Sequence, residues 1–205
     1  MSPWERFVVP RLIEWACAAR PVTRQRRKVV PQARGRILEI GVGSGLNLSH
    51  YDAAQTESVM GIDPSPQLLA KAEIAARDIS FPVSLVQRSA EHLPVDAGSI
   101  DTVVVTFSLC SIPDIEGALR EARRVLRRDG TLLFAEHGLA PDESVARWQR
   151  RLDPYWTRCG GGCHLDRDIP GVIETAGFSF ETLETIYLPG PRVLNFNYWG
   201  TAKPT

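Results

Sequence analysis

The chain has 205 residues, and its 24 Lys and Arg balance 24 Asp and Glu, for a formal net charge of zero. A hydrophobic fraction of 43% and a charged fraction of 23% suit one globular domain and exclude a disordered, collagen-like or coiled-coil chain. Overall neutrality argues against a nucleic-acid-coating protein, but the charge is uneven: residues 1–36 hold nine basic and two acidic side chains, which leaves room for a basic N-terminal arm.

Residues 4–19 read as a helix whose apolar face is Trp4, Phe7, Val8, Ile13, Trp15 and Ala16, with Pro10 set to kink it. A second, basic helix follows Pro21. Residues 36–40 form a short buried strand that runs into Gly41-Val42-Gly43-Ser44-Gly45, and residues 46–53 read as helical. Residues 58–62 are a strand ending at Asp63, and 66–77 a helix with Pro66 in its first turn, where the missing N–H costs little. Strands follow at 83–87 and 101–107; Val103, Val104 and Val105 in a row fit burial on both faces. Residues 115–126 are an amphipathic helix, Asp129-Gly130 a turn and 131–136 a strand. Helices at 142–153 and 167–176 precede two strands, 178–187 and 193–202, joined across Pro189-Gly190-Pro191.

Strand–helix alternation predicts an α/β fold: a Rossmann-like, seven-stranded, mostly parallel sheet with helices on both faces and an antiparallel C-terminal edge hairpin. The division expected is a helical cap or arm over 1–34 and a ligand-binding domain over 35–205. The longest stretches without a charged residue, 40–51 and 102–113, have 12 residues each, short of the roughly 20 of a spanning helix. Glu5, Arg6, Arg11 and Glu14 interrupt any secretory segment. The four cysteines, Cys17, Cys110, Cys159 and Cys163, are expected as reduced thiols in a cytoplasmic protein. The basic arm is compatible with peripheral contact to an anionic membrane, and the assembly expected is a monomer or homodimer.

In such a sheet ligands gather at the carboxyl ends of the strands. The glycine turn there has G-x-G-x-G spacing, with Glu39 two residues ahead of it. That departs from the G-x-G-x-x-G of dinucleotide sites, which uses a helix N-terminus to hold a pyrophosphate. Asp63 can accept hydrogen bonds from ribose hydroxyls, or cap the helix at 66–77, a task Ser65 can also take. Ser89, Ala90 and Glu91 follow the third strand, where they can meet an adenine edge or form a plain loop. His137, after Glu136 at a strand end, is a candidate base or a structural histidine. His164 lines a pocket if residues 157–166 fold over it; His50 and His92 read as structural or solvated. Cys159-x-x-x-Cys163-His164 with Asp166 has a zinc-like look, but without a C-x-x-C knuckle no metal is expected. Cys110 reads as a packing residue. Trp148, Tyr155 and Trp156, like the aromatics of the first helix, suit a lid over an acceptor or plain helix packing.

Glu39–Gly45, Ile62-Asp63-Pro64, Ala90-Glu91-His92-Leu93-Pro94 and Phe107-Ser108-Leu109-Cys110 resemble the cofactor motifs of the class I S-adenosylmethionine-dependent methyltransferases, over roughly residues 35–201. The resemblance implies S-adenosylmethionine as cofactor and a binding set of Glu39, Gly41, Gly43, Gly45, Asp63, Pro64, Ser65, Ser89, Ala90, Glu91, Phe107 and Leu109. It leaves His137 and His164 as candidate catalytic residues. Phe107–Ile112, Glu136-His137, Leu152–Trp156, Gly162–Leu165 and Ala176–Phe178 further resemble methyltransferase-like proteins whose animal members are membrane-anchored alkyl-thiol methyltransferases; a relative without the hydrophobic N-terminal anchor is expected here. That likeness implies methyl transfer to a small molecule, with a thiol as the leading acceptor and a quinone precursor or phospholipid amine as the alternative.

Overall fold

The structure, a computed structural model, describes residues 17–205; the helix expected at 4–19 lies almost wholly outside them. The first full helix, α1 (Arg20–Val29), carries Pro21 in its opening turn and Arg26, Arg27 and Lys28 in its last. Those cations complement the negative end of the helix dipole. Val29 at its end and Val30 and Ala33 behind it are fully buried against Ile37, Leu48, Val59, Val104 and Leu133. The described part of the segment expected as a cap or arm, residues 17–34, packs against the sheet through these side chains.

Seven strands follow: β1 (Gly35–Ile40), β2 (Thr56–Asp63), β3 (Val83–Gln87), β4 (Ile100–Thr106), β5 (Leu126–His137), β6 (Phe178–Tyr187) and β7 (Phe196–Pro204). Their order is β3-β2-β1-β4-β5-β7-β6. The first five are parallel, and β7 runs antiparallel to both β5 and β6. This is the expected mostly parallel sheet with its C-terminal hairpin. The order reverses between β1 and β4, and such a switch point opens a crevice at the strand ends.

Strand periodicity builds two cores. Leu38, Ile40, Val103, Val105, Leu132 and Phe134 point to one face, where they meet helices α3 (Ile115–Val125) and α5 (Ile169–Thr175). Ile37, Val104, Leu133 and Ala135 point to the other, under α1 and the end of α2 (Pro66–Ala76). Helix α4 (Glu143–Cys159) follows β5. Asp114 and Asp168 cap α3 and α5 by accepting the Gly117 and Gly171 N–H groups.

Four expectations need correction. Residues 46–53 hold one 3-10 turn, Leu48–His50, because Tyr51 adopts extended backbone that brings its hydroxyl to Glu39 Oε2 at 2.7 Å. The Asp129-Gly130 turn lies inside β5, where the register slips between the Ile100–Leu126 and Thr102–Thr131 pairs. Helix α4 continues past Asp153 through Pro154 to Cys159; a proline removes one donor, and the Thr157 hydroxyl donates to the Asp153 carbonyl at 3.0 Å in the same turn. β7 starts at Phe196, since Arg192–Leu194 form a 3-10 turn held by the Asn195 side chain, which donates to the Pro191 carbonyl at 2.9 Å.

Candidate active site

The glycine turn after β1 is tied to β2. The Gly41 and Val42 N–H groups donate to the Ile62 carbonyl at 2.9 and 3.0 Å, and Gly45 N–H to the Val42 carbonyl at 2.9 Å. Gly43 N–H donates to Asp63 Oδ2 at 3.1 Å. The other Asp63 oxygen accepts the Ser65 N–H at 2.8 Å, while Ser65 Oγ caps α2 by accepting from Leu68 N–H. The cap thus belongs to Ser65 and leaves Asp63 to the crevice. Burial raises the Asp63 carboxyl above its ordinary pKa.

Glu39 lies beneath this turn, fully enclosed. Asn47 Nδ2 donates to its Oε1 at 2.9 Å and Tyr51 to its Oε2. Arg26 arrives from α1 and donates to Asn47 Oδ1 at 3.0 Å and to Thr106 Oγ1. Burial lifts the Glu39 carboxyl to about 7, against the pull of Tyr51 and the Arg26 charge. Arg26 sits in a run of basic residues with no feature to separate it, and only its place on the inner face of α1 sets it apart.

β4 ends in a bend. Phe107 has a φ of 54°, left-handed backbone that a bulky residue seldom adopts. The bend sends the Ser108 and Leu109 N–H groups onto Glu136 Oε1 at 2.9 and 3.1 Å. Glu136 is completely buried, which raises its carboxyl to about 7 despite those bonds. The Arg26 guanidinium stacks over the Phe107 ring at 5.1 Å.

The other half of the crevice surrounds His137. This side chain is buried at the end of β5, opposite Asn197 of β7. Its Nδ1 is 3.9 Å from Cys163 Sγ. The chain after α4 folds over the strand ends, with the His164 N–H donating to the Cys110 carbonyl at 2.8 Å. His164 Nδ1 pairs with Asp153 Oδ2 at 2.9 Å, and Asp153 Oδ1 accepts the Leu165 N–H at 2.6 Å. Arg167 donates to the carbonyls of Leu109 and Ile112. Among the described residues, the ligand atoms of Asp153, His164 and Asp166 come within 4.8 Å of one another, and neither Cys159 nor Cys163 belongs to that group. All four cysteines are free thiols.

The structure thus gathers Glu39, Gly41, Gly43, Asp63, Phe107 and Leu109 in one half and His137 and His164 in the other. Pro64 is exposed, Ser89 is exposed and Ala90 is buried. Glu91 accepts from Asp114 N–H at 3.4 Å. Sequence reading missed Arg26, Asn47, Thr106 and Asp153.

Several buried polar atoms around this crevice have no hydrogen-bond partner among the described residues: Arg26 Nε, Glu136 Oε2, His137 Nε2 and Asn197 Oδ1. Orphans of this kind mark places where a bound molecule completes the bonding. The ligand class follows from which groups are spent. The turn's N–H groups at Gly41, Val42, Gly43 and Gly45 are already bonded, and only a 3-10 turn follows them. A pyrophosphate would need those N–H groups and a helix N-terminus. What the crevice offers instead is the Asp63 carboxylate beside the turn and an open cradle: a Cβ built on Gly43 meets nothing nearer than 4.0 Å. A phosphate-free cationic nucleoside such as S-adenosylmethionine fits this donor set.

Comparison with known proteins agrees. A family model described as a methyltransferase domain matches residues 38–134. The human thiol S-methyltransferase TMT1B is 33% identical over 172 residues, which cover 78% of this chain and 70% of that protein. The chain belongs to the class I S-adenosylmethionine-dependent methyltransferases. S-adenosylmethionine is its cofactor. The rat TMT1B is 36% identical over 152 residues, 72% of this methyltransferase and 62% of the relative; the human TMT1A is 36% identical over 163 residues, 78% and 66%. The methyltransferase therefore spans slightly less than two thirds of these two relatives. A phosphatidylethanolamine N-methyltransferase of Cereibacter sphaeroides is 36% identical over 139 residues, 63% of this chain and 68% of its own. The fold is shared with a Methanosarcina mazei S-adenosylmethionine-dependent methyltransferase (TM-score 0.65, 22% identity, covering 82% and 92% of the two chains). It is also shared with a geranyl diphosphate methyltransferase in complex with S-adenosylmethionine (TM-score 0.72, 13% identity, 89% and 85%).

Proposed function

We propose that this methyltransferase methylates the sulfur of a small thiol. The observation that carries the reading is buried His137, whose Nε2 has no hydrogen-bond partner among the described residues. A thiol ionises near pH ~8.5, so a neutral imidazole within reach is base enough. A carbon or alcohol acceptor would demand a stronger base. The kinship with thiol S-methyltransferases at 33–36% identity supports the same acceptor.

In this reading Asp63 holds the ribose hydroxyls of the cofactor, and the Gly41–Gly45 turn lies along it. Pro64, Ser65, Ser89, Ala90 and Glu91 border the nucleoside, and Phe107 and Leu109 border the reacting end. Glu39 acts through the turn by fixing Asn47 and Tyr51. S-adenosylmethionine supplies an electrophilic methyl group on a sulfonium. His137 Nε2 takes the acceptor's proton, and His164, held by Asp153, lines the wall. Burial excludes water from the strand ends, and orientation of the thiolate supplies most of the remaining advantage.

We assign the protein to the cytosol, which suits four free cysteines. Among the described residues no helix is long and apolar enough to cross a membrane.

The test is incubation with methyl-labelled S-adenosylmethionine and a panel of small thiols, phenols, quinone precursors and phosphatidylethanolamine. Label on thiol sulfur is expected. Label on the phospholipid amine alone would replace this reading with that of the Cereibacter relative.

A further inference from the structure

Two thiols that the methyl-transfer reading leaves idle stand at the acceptor wall. Cys110, buried just after the β4 bend, and Cys163, half-buried after the glycine run Gly160–Gly162, are brought side by side where the chain after α4 crosses that bend. The backbone locks the pair in place, since the residue after Cys163 donates its N–H to the Cys110 carbonyl at 2.8 Å. His137 Nδ1 lies 3.9 Å from Cys163 Sγ. The buried indole N–H of Trp156, without an oxygen or nitrogen partner, borders the same sulfur.

The two sulfurs are unequal. Cys163 is the more accessible, and its bond from Cys110 draws its pKa below the ordinary thiol value. Cys110 is pushed well above that value by the same bond and by burial. An accessible, acidic thiol backed by a buried, protonated one is the arrangement of a nucleophile and a resolving thiol.

We propose that Cys163 and Cys110 form an exchange dithiol that reduces disulfides of small thiols inside the acceptor half of the site. The Cys163 thiolate attacks one sulfur of R–S–S–R′. The disulfide bond breaks, R–S⁻ leaves, and a Cys163–S–S–R′ bond forms. Cys110 gives its proton to His137 and attacks Cys163 Sγ, which expels R′–S⁻ and closes a Cys110–Cys163 disulfide. Two electrons pass from the protein dithiol to the small disulfide, and two small thiols result. A small dithiol reductant returns the protein to its starting state by the reverse exchange. The released thiolate appears beside His137, where the proposed methyl transfer takes place, so an oxidised acceptor still becomes a substrate.

The inference rests on the reading of the site as one for thiols, and its test omits the cofactor so that the two fail separately. The reduced full chain is mixed with one equivalent of glutathione disulfide, released glutathione is counted, and peptides are mapped by mass spectrometry. Two equivalents released, with Cys110 and Cys163 peptides cross-linked, are the expected result. Cys110→Ser releases one equivalent and retains glutathione on Cys163; Cys163→Ser loses the release; Cys159→Ser, at an exposed position on the same loop, keeps it. Glutathione held on Cys159 or Cys17, or release unaffected by Cys163→Ser, overturns the proposal. The cross-link map of the unaltered chain decides the matter even if a variant does not fold. A chain that methylates thiols but releases no glutathione keeps the proposed function and loses this inference.

Discussion

The Gly43 N–H donates to Asp63 Oδ2 at 3.1 Å, so the turn after β1 and the carboxylate after β2 form one unit before a ligand arrives. Asp63→Ala removes both the ribose acceptor and this tie. Loss of hydrogen bonds to a charged group is worth about 1–3 kcal/mol, or roughly a 5- to 150-fold rise in Kd. Calorimetric titration with S-adenosylhomocysteine measures it, and an unchanged Kd refutes the role.

Gly41 and Gly43 should separate folding from binding. Both have positive φ, 71° and 55°. A Cβ at Gly41 would sit 2.1 Å from Ser108 Oγ and 2.6 Å from Ser108 Cβ, whereas one at Gly43 faces open space. Gly41→Ala should cost stability beyond the ~1–2 kcal/mol of left-handed backbone, because it also forces Ser108 from its place. Gly43→Ala should cost only that backbone amount yet block the cradle. Urea denaturation and S-adenosylhomocysteine titration of both variants check the contrast; equal stability losses would contradict it.

Glu136 makes a prediction about pH. Burial raises its carboxyl from 4.5 to about 7 in the folded chain. The folded state therefore holds a proton that the unfolded state has released between those values, so this contribution to stability falls as pH rises from about 4.5 to about 7. Glu39 has the same sign. Glu136→Gln keeps an oxygen for the Ser108 and Leu109 N–H groups without the charge. Relative to the unaltered chain it should gain about 1–3 kcal/mol between pH 5 and pH 8, the scale of an unmet buried polar group. A difference in denaturation free energy that is flat with pH would refute the assignment.

His137→Gln should lower kcat/KM for a small thiol by about 10²-fold at pH 7. The loss should shrink near pH 9, where the thiol ionises unaided. An equal loss at both pH values would make His137 a positioning residue rather than a base.

Much of this was legible in the residues. Val103–Val105 announced the central strand, and Asp63 stood where its strand ended. Both signals are local, a run of β-branched residues and a carboxylate at a fixed place after a glycine turn. Arg26 and Asp153 were illegible for the opposite reason. Each acts on residues far off in the chain, Arg26 on Thr106 and Asp153 on the backbone after His164, and nothing nearby distinguishes a buried charge from a solvated one. The helix expected at 46–53 failed because Asn47 and Tyr51 serve Glu39 rather than the local backbone.

Arg26 also decides where this domain can be cut. A fragment starting at β1 would remove Val29, Val30 and Ala33 from Ile37, Leu48 and Val104, and would leave Asn47 and Thr106 without their cation. Its sheet would keep its strand order and expose a greasy face, ready to stick to other copies of itself. The smallest autonomous unit therefore includes α1. A chimera joined at the glycine-rich strand, the boundary the motif invites, would inherit the motif without the helix that keeps it dry.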